Sequence, residues 1–316
     1  MKKHPNKNFR YLIKNLNEKR GYKKNIYPVQ EQRKISWSEY NLSKINEIKE
    51  FLVFIREVVD KIKIPFNFNG KGRPSTNPKS LVKAILFCEL VGLPERQSQG
   101  WLEIIGPFLG IYEKLDDRVI GKAYERVDVS ILLYEIFEKT KISDGKLGGD
   151  GSGLERSRKE NYESTKKKNA GRYMVSVVDS REIVQAFDIS GTQECQIMHE
   201  LIKNIDGDSL RLDAGFNDKS LVREISLREM VPYVYLKKSN NMNGDIYWQE
   251  MCYNFYENLI EWLIEYHLRS HTESFHSAFK RKFGIITKLK LNSKFTQVCA
   301  RIILHNIFRI SYFNGL

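Results

Sequence analysis

YMVSVVDSREIVQAFDI, residues 173–189, is the stretch that decides how the second half of this chain folds. Apolar residues alternate with other residues on both sides of Asp179-Ser180-Arg181, a triplet that contains turn-forming residues. Two strands joined by a tight turn have this pattern. We therefore predict a β-hairpin here.

The sequence on either side of the hairpin predicts more strands and a set of helices. Upstream, LGGDGSG at residues 147–153 predicts the strand that opens the domain. Downstream we predict, in order, a helix around 195–204, a strand at 210–212, a helix from about 219 to 228, the strand VPYVYL at 231–236, and long helices at 253–282 and 295–312, the first ended by Gly284. Strands alternating with helices are typical of α/β domains, so residues 143–316 are predicted to form one.

The N-terminal end of the chain is strongly basic. Eleven of residues 2–34 are Lys or Arg and only two are acidic, so residues 1–44 are predicted to be a basic arm. A run of this kind is either a solvated flexible segment or a set of contacts to phosphates. Helical periodicity begins at Ile45 and stops in a stretch rich in Gly, Pro and Asn, so residues 45–70 are predicted to be a helix and a linker.

Residues 71–142 are predicted to be an all-α, helix-turn-helix-like DNA-binding region that precedes the α/β domain. One helix is expected to end at Gly92 and the next at Gly106-Pro107, before a short helix, RVIGKAYERV at 118–127. Three cations of that short helix are spaced four apart and would share one face: Arg118, Lys122 and Arg126. A cationic stripe suits a recognition helix, and the alternative is an ordinary solvated face.

Composition indicates which class of partner the protein binds and in which cellular compartment it is expected. The 316 residues contain 52 Lys+Arg against 39 Asp+Glu, a formal net charge of +13, which favours a polyanionic partner such as nucleic acid. A hydrophobic fraction of 41% excludes wholesale disorder. No apolar run approaches a membrane span, no apolar signal segment follows the basic N-terminus, and the four cysteines form no CxxC pair. We expect a cytoplasmic protein with reduced thiols.

Two aspartates stand where α/β sheets present ligands. Asp150 lies in LGGDGSG, near the end of the first predicted strand, and Asp213 ends LRLD. The carboxyl ends of strands line the crevice in which such domains bind ligands. For each aspartate taken alone, a turn or N-cap role is the alternative.

A third carboxylate, Glu273, lies in the long helix predicted at 253–282. At about 100° per residue, five polar residues of this helix fall within one narrow arc: Tyr266, Arg269, Glu273, His276 and Lys280. An apolar stripe on the far side would hold the helix on the core: Ile264, Leu268, Phe275 and Phe279. Salt bridges between residues four apart would explain the polar face equally well.

The combined spacing of these residues points to a family. Tyr266-(2)-Arg269-(3)-Glu273-(6)-Lys280 matches the Y-(2)-R-(3)-E-(6)-K signature of the DDE transposases of prokaryotic insertion sequences. The sequences DGSG at Asp150 and DAGF at Asp213 are similar to the first two acidic blocks of that family. All three blocks occur in order, and the resemblance covers roughly residues 71–316.

The resemblance implies a ribonuclease H-like catalytic domain, a mixed sheet flanked by helices. In it Asp150, Asp213 and Glu273 would be the catalytic residues and would bind two Mg²⁺ ions, or Mn²⁺ as a substitute. The enzyme would cleave double-stranded DNA at the terminal inverted repeats of its element and join the freed 3′-hydroxyl to target DNA. A homodimer on paired ends, associated with the nucleoid, is implied as well.

The same resemblance suggests DNA-binding roles around Glu273. Arg269 and Lys280 could hold phosphates, since Arg suits bidentate contact and Lys acts as a point charge. Tyr266 could hydrogen-bond a phosphate or stack on a displaced base, and His276 could contact a phosphate or water. Trp248 and Trp262 could also stack on bases, although burial is the commoner outcome for Trp.

The sequence leaves several alternatives open. Asp144, Asp179 and Asp188 are rival carboxylates for the place of Asp150. His267 and His271 have the spacing of zinc ligands, but they would point away from Glu273 and no HExxH motif is present. In place of a transposase, the chain could be a related metal-dependent nuclease or a decayed or domesticated DNA-binding protein.

Overall fold

A computed structural model describes residues 9–14, 36–64, 75–154, 173–190 and 193–314. The chain forms two compact units. The sheet unit contains residues 9–14, 143–153 and the described part of 173–277, and the helical unit contains the described part of 36–142 together with 278–314. The linker around 65–74 and the lysine-rich segment 155–172 lie outside the described residues.

The sheet unit is built on five strands. They are β1 Lys146–Gly153, β2 Tyr173–Val178, β3 Val184–Ser190, β4 Ser209–Leu212 and β5 Val231–Val234. Their order in the sheet is β3-β2-β1-β4-β5; β1 is antiparallel to β2, as is β2 to β3, and β1, β4 and β5 are parallel. The chain is thus an α/β protein with a five-stranded mixed sheet, which confirms the predicted α/β class and the hairpin.

Besides a short helical stretch at residues 9–14, eleven helices accompany the sheet in the described part of the chain. They are α1 Trp37–Lys61, α2 Pro78–Val91, α3 Glu95–Leu109, α4 Asp117–Ala123, α5 Val127–Lys139, α6 Glu194–Leu201, α7 Lys219–Leu227, α8 Ile246–Glu257, α9 Leu259–His267, α10 Ser270–Phe283 and α11 Leu291–Asn314. None of them is both long and apolar enough to cross a membrane. All four cysteines are free.

Two predicted helix ends are confirmed and one is wrong. Gly92 and Gly284 end α2 and α10 in the left-handed conformation, with φ of 66° and 63°. Helix α3, however, passes through Gly106-Pro107 and ends at Gly110, whose φ is 71°. Proline removes one backbone hydrogen bond and its ring crowds the carbonyl four residues earlier, yet here the helix continues for two more residues past Pro107.

The short helical stretch at residues 9–14 belongs to the core of the sheet unit. Phe9 and Ile13 are fully buried, and the Phe9 ring lies 6.1 Å from the Phe255 ring in α8. These two residues are therefore structural, although they lie within the segment predicted to be a basic arm. The other residues of 1–35 lie outside the described part of the chain.

The helical unit is held by a buried polar network. Glu89 of α2 accepts hydrogen bonds from Tyr124 Oη at 2.7 Å, from Gln297 Nε2 at 3.0 Å and from Arg301 Nε at 2.6 Å. Glu89 and Arg301 are both almost completely buried. Because each polar group has a partner, the network ties α2 to α11 inside this unit.

Candidate active site

Asp150 and Asp213 lie side by side because β1 and β4 are parallel neighbours. Gly149 is opposite Leu212, so the next residues of the two strands are the two aspartates. Asp213 also begins a 3₁₀ turn, Ala214–Phe216, and its Oδ1 accepts a hydrogen bond from Gly215 N at 2.7 Å. Its cap role and its place beside Asp150 are thus compatible.

Arg269 links Glu273 to Asp150 by pairing with both carboxylates. Its Nη1 lies 3.2 Å from Asp150 Oδ2, and its Nη2 pairs with Glu273 Oε1. The guanidinium therefore bridges a strand carboxylate and a helix carboxylate. Asp150 and Arg269 are largely buried, whereas the Glu273 side chain is 59% exposed.

Arg269 occupies a tight turn between α9 and α10, so the single long helix predicted over 253–282 is wrong. Residues 246–283 form three helices, and the turn at 268–269 uses bonds between residues three apart, such as Arg269 N to Tyr266 O at 3.0 Å and Thr272 N to Arg269 O at 3.0 Å. Such bonds tighten the backbone to a 3₁₀ geometry. The uniform rotation of 100° per residue therefore does not extend from Tyr266 to Glu273.

Two contacts hold this turn against the sheet. A Cβ at Gly148 of β1 would lie 2.7 Å from Thr272 Oγ1 and 3.5 Å from Arg269 Cα, so only glycine allows this approach. Arg211 of β4, almost fully buried, donates to Glu265 O at 2.6 Å and to Leu147 O at 3.2 Å. The glycine-rich strand and the buried arginine thus position the turn that carries Arg269.

Burial and neighbouring charges shift the pKa values of Asp150 and Arg269. Burial raises the pKa of Asp150, the neighbouring Asp213 and Glu273 raise it further, and Arg269 opposes this by stabilising the carboxylate. Burial lowers the pKa of Arg269, but Tyr266 and the acidic groups outweigh burial and raise it overall. The acidic groups outnumber the single guanidinium, so the cluster favours additional positive charge.

Glu194, which sequence reasoning missed, adds a fourth carboxylate. It is the first residue of α6, and a Cβ at Gly151 would collide with its carboxylate. Burial raises the pKa of Glu194, and so do Asp150 and Asp213. An acidic residue in a first helical turn is common for reasons of helix dipole alone, so nothing in the sequence distinguished Glu194.

The rival carboxylates lie elsewhere. Asp179 shapes the hairpin turn by accepting from Ile183 N at 2.9 Å, and Asp144, which precedes β1, pairs with Ser180 of the same turn. Both lie near the N-terminal end of β1, whereas Asp150 lies inside the strand, opposite Ser176, and not at its end as the sequence predicted. Asp188 pairs with Val175, and Val175 pairs with Gly151, so Asp188 and Gly151 are on the same face of the sheet. Asp150 precedes Gly151 in β1, so the side chains of Asp188 and Asp150 point to opposite faces.

The predicted DNA contacts on α9 and α10 are less accessible than the helix projection indicated. Tyr266 is only 7% exposed and stacks on Trp262 at 5.3 Å, and burial raises its pKa to about 12. His276 is buried and shares a hydrogen bond with Ser176 Oγ of β2 at 3.4 Å. Lys280 is partly exposed, two turns after Glu273 on α10. Trp248 and Trp262 are core residues.

In the helical unit, the predicted cationic stripe is shorter than expected. Asp116 caps α4 by accepting from Val119 N at 2.7 Å, and Arg118 and Lys122 are exposed on this helix. The helix ends at Ala123, so Arg126 is not on its face; Arg126 is the N-cap residue of α5 and pairs with Asp128 at 2.5 Å. The three cations therefore do not form one helical stripe.

The donor set fits a hard divalent cation. Asp150, Asp213, Glu273 and Glu194 offer carboxylate oxygens, the ligands that Mg²⁺ prefers. Burial raises the pKa of Asp150 and of Glu194, and the neighbouring carboxylates raise both further, so a bound cation would favour the charged forms. No protein-family model, no curated protein and no solved structure matches this chain.

Proposed function

We propose that this protein is a DNA transposase of the DDE group that cleaves at the ends of an insertion sequence and joins the 3′-hydroxyl strand to target DNA. One observation carries the proposal: Asp150 and Glu273 share the guanidinium of Arg269, while Asp213 follows the strand beside Asp150. The strand order β3-β2-β1-β4-β5, with an antiparallel hairpin at one edge, agrees with a ribonuclease H-like catalytic domain.

Phosphoryl transfer explains why carboxylates are needed. Negative charge develops on the entering and leaving oxygens; two Mg²⁺ ions, or Mn²⁺, bound at this site would neutralise that charge and lower the pKa of the attacking water or 3′-hydroxyl. Asp150, Asp213 and Glu273 would hold these ions. Glu194 adds charge at the same edge and would strengthen the attraction for them.

The cationic residues would contact phosphates of the DNA. Arg269 already pairs with two carboxylates, and the same planar fork can hold a phosphate. Tyr266 acts by positioning Arg269, since the Tyr266 hydroxyl and the Arg269 guanidinium interact electrostatically. Arg118, Lys122 and Lys280 offer further phosphate contacts, and the net charge of +13 favours double-stranded DNA as partner. We propose a homodimer on paired ends, in the nucleoid.

The test uses a plasmid that carries the stretches of DNA flanking the protein's own reading frame. We expect cleavage at these flanks and joined strands, both dependent on Mg²⁺ or Mn²⁺. Glu273→Gln, Asp150→Asn and Asp213→Asn should abolish cleavage and joining while DNA binding persists, because binding rests on contacts between cations and phosphates.

Two control variants change carboxylates that lie outside the candidate active site. Asp188→Asn, on the other face of the sheet, and Glu261→Gln, exposed on α9, should leave cleavage and joining unchanged. Cleavage without joined strands would support the nuclease alternative. Binding without any cleavage by the unmodified protein would support a decayed DNA-binding protein.

A further inference from the structure

A second cluster of side chains, different in chemistry from the four carboxylates, lies between α6 and α7. It consists of a thiol, an imidazole and a carboxylate: Cys195, His199 and Asp218. One ligand atom from each, Sγ, a ring nitrogen and a carboxylate oxygen, lies within 4.8 Å of the others. All three residues are partly buried.

Local structure explains why these atoms meet. Cys195 and His199 are four residues apart on α6, so they share one face of that helix. Asp218 is the N-cap of α7, where its Oδ1 accepts from Ser220 N at 2.8 Å and from Ser220 Oγ at 2.7 Å. Its other oxygen, Oδ2, lies 3.5 Å from His199 Nε2. The cap thus fixes Asp218 and leaves one oxygen for a ligand.

A fourth residue orients the imidazole. Glu224 Oε2 lies 2.9 Å from His199 Nδ1. A histidine that binds a metal commonly donates its other nitrogen to a carboxylate, which sets the tautomer and the ring orientation. With Nδ1 engaged by Glu224, the Nε2 atom is the one that faces Asp218 and is available as a ligand.

We propose that Cys195, His199 and Asp218 bind one Zn²⁺ ion, with Glu224 as the carboxylate that orients His199. Three protein ligands leave the fourth tetrahedral position to water. Thiolate and imidazole select Zn²⁺ over Mg²⁺, so this site is separate from the carboxylate cluster in its metal as well as in its residues. Binding converts the Cys195 thiol to a thiolate and releases its proton to solvent.

The bound ion would join two elements of the sheet unit. Cys195 and His199 belong to α6 and Asp218 begins α7, so the metal would cross-link these helices. Glu194 directly precedes Cys195 and lies beside Gly151. The proposal does not depend on the proposed transposase activity.

The test replaces Zn²⁺ by Co²⁺ in the full-length, chelator-treated protein. Coordination by a thiolate produces a sulfur-to-cobalt charge-transfer absorption that carboxylates alone do not produce. We expect this absorption to saturate at one equivalent of Co²⁺ and to disappear when Zn²⁺ is added. Cys195→Ser should abolish it, and Glu224→Gln should weaken Zn²⁺ binding by about 10- to 100-fold.

Two further variants complete the design. Asp218→Asn keeps a side chain that can cap α7 while removing the charge, so it should weaken metal binding without unfolding the protein, which circular dichroism checks. Glu200→Gln, exposed on the same helix, is the matched control and should bind as the unmodified protein does. An unchanged absorption in Cys195→Ser, or no absorption in the unmodified protein, would overturn the proposal.

Discussion

Arg269 Nη1 lies 3.2 Å from Asp150 Oδ2 across 119 residues of sequence, and this pair determines the electrostatics of the candidate active site. Asp150 is held between opposing influences: burial, Asp213 and Glu273 disfavour its charged form, and Arg269 favours it. Each influence can be removed separately.

The first prediction concerns the pKa of Asp150. Arg269→Gln should raise it further, because the cation that stabilises the carboxylate is lost. Asp213→Asn should lower it, because a neighbouring negative charge is lost. The chemical shift of the Asp150 carboxyl carbon, followed by NMR against pH, measures both. Arg228→Gln, which removes an exposed pair with Asp206, is the control, and equal titration curves in all variants would contradict this account.

The second prediction concerns stability against pH. Because the folded pKa of Asp150 lies above its usual 3.8, folding favours the protonated form, and the stability contributed by this group is lost as pH rises through that window. Asp150→Asn should therefore be more stable than the unmodified protein at pH 7. The difference should shrink at the lowest pH at which the protein stays folded.

Urea unfolding at the two pH values measures this difference. Asp206, which is fully exposed, supplies the control Asp206→Asn. A loss of stability at pH 7 in Asp150→Asn would show that the ion pair with Arg269 outweighs burial.

The third prediction concerns Glu194 and rests on the proposed function. Glu194→Gln removes one carboxylate from beside Asp150 and Asp213, so the Mg²⁺ concentration needed for half-maximal cleavage should rise about tenfold or more. DNA affinity should stay the same. Glu200→Gln on the same helix controls for charge alone. If the Mg²⁺ requirement of Glu194→Gln is unchanged, Glu194 has no part in metal binding and only helps to begin α6.

The fourth prediction concerns Phe9. Phe9→Ala should reduce the free energy of unfolding by about 3–5 kcal/mol, because loss of the buried ring leaves a cavity beside Phe255. Tyr11→Ala, two residues away at a site that is 68% exposed, should change it by less than about 0.5 kcal/mol. Urea unfolding compares the two. Equal effects would place Phe9 outside the core.

The fifth prediction concerns the charges of the N-terminal segment. Deleting residues 1–34 would also remove Phe9 and Ile13, so charge must be neutralised instead, at Lys2, Lys3, Lys7, Lys23 and Lys24. The slope of log affinity for DNA against log salt should shrink by about 0.9 for each lysine that contacts a phosphate. Unfolding should be unchanged. A constant slope would identify these lysines as solvated surface residues.

Local patterns were sufficient for the strands of the sheet unit and for some helix ends. Alternation predicted the hairpin around Asp179, and Gly284 marked the end of α10, because strand periodicity and the left-handed preference of glycine depend on adjacent residues only. Asp150 and Asp213 could be named as candidates from the acidic blocks around them. Their adjacency could not, since it depends on which strands pair.

Tertiary structure decided the rest. The turn at Arg269 interrupts a sequence with good helical periodicity because its backbone packs on Gly148, a contact between distant residues. Likewise Phe9 is buried in a basic segment because α8 covers it. The sequence by itself determined the strands and three candidate carboxylates, Asp150, Asp213 and Glu273. Long-range packing decided that Arg269 joins Asp150 to Glu273 and that Glu194 stands beside them, because such contacts leave no local periodicity.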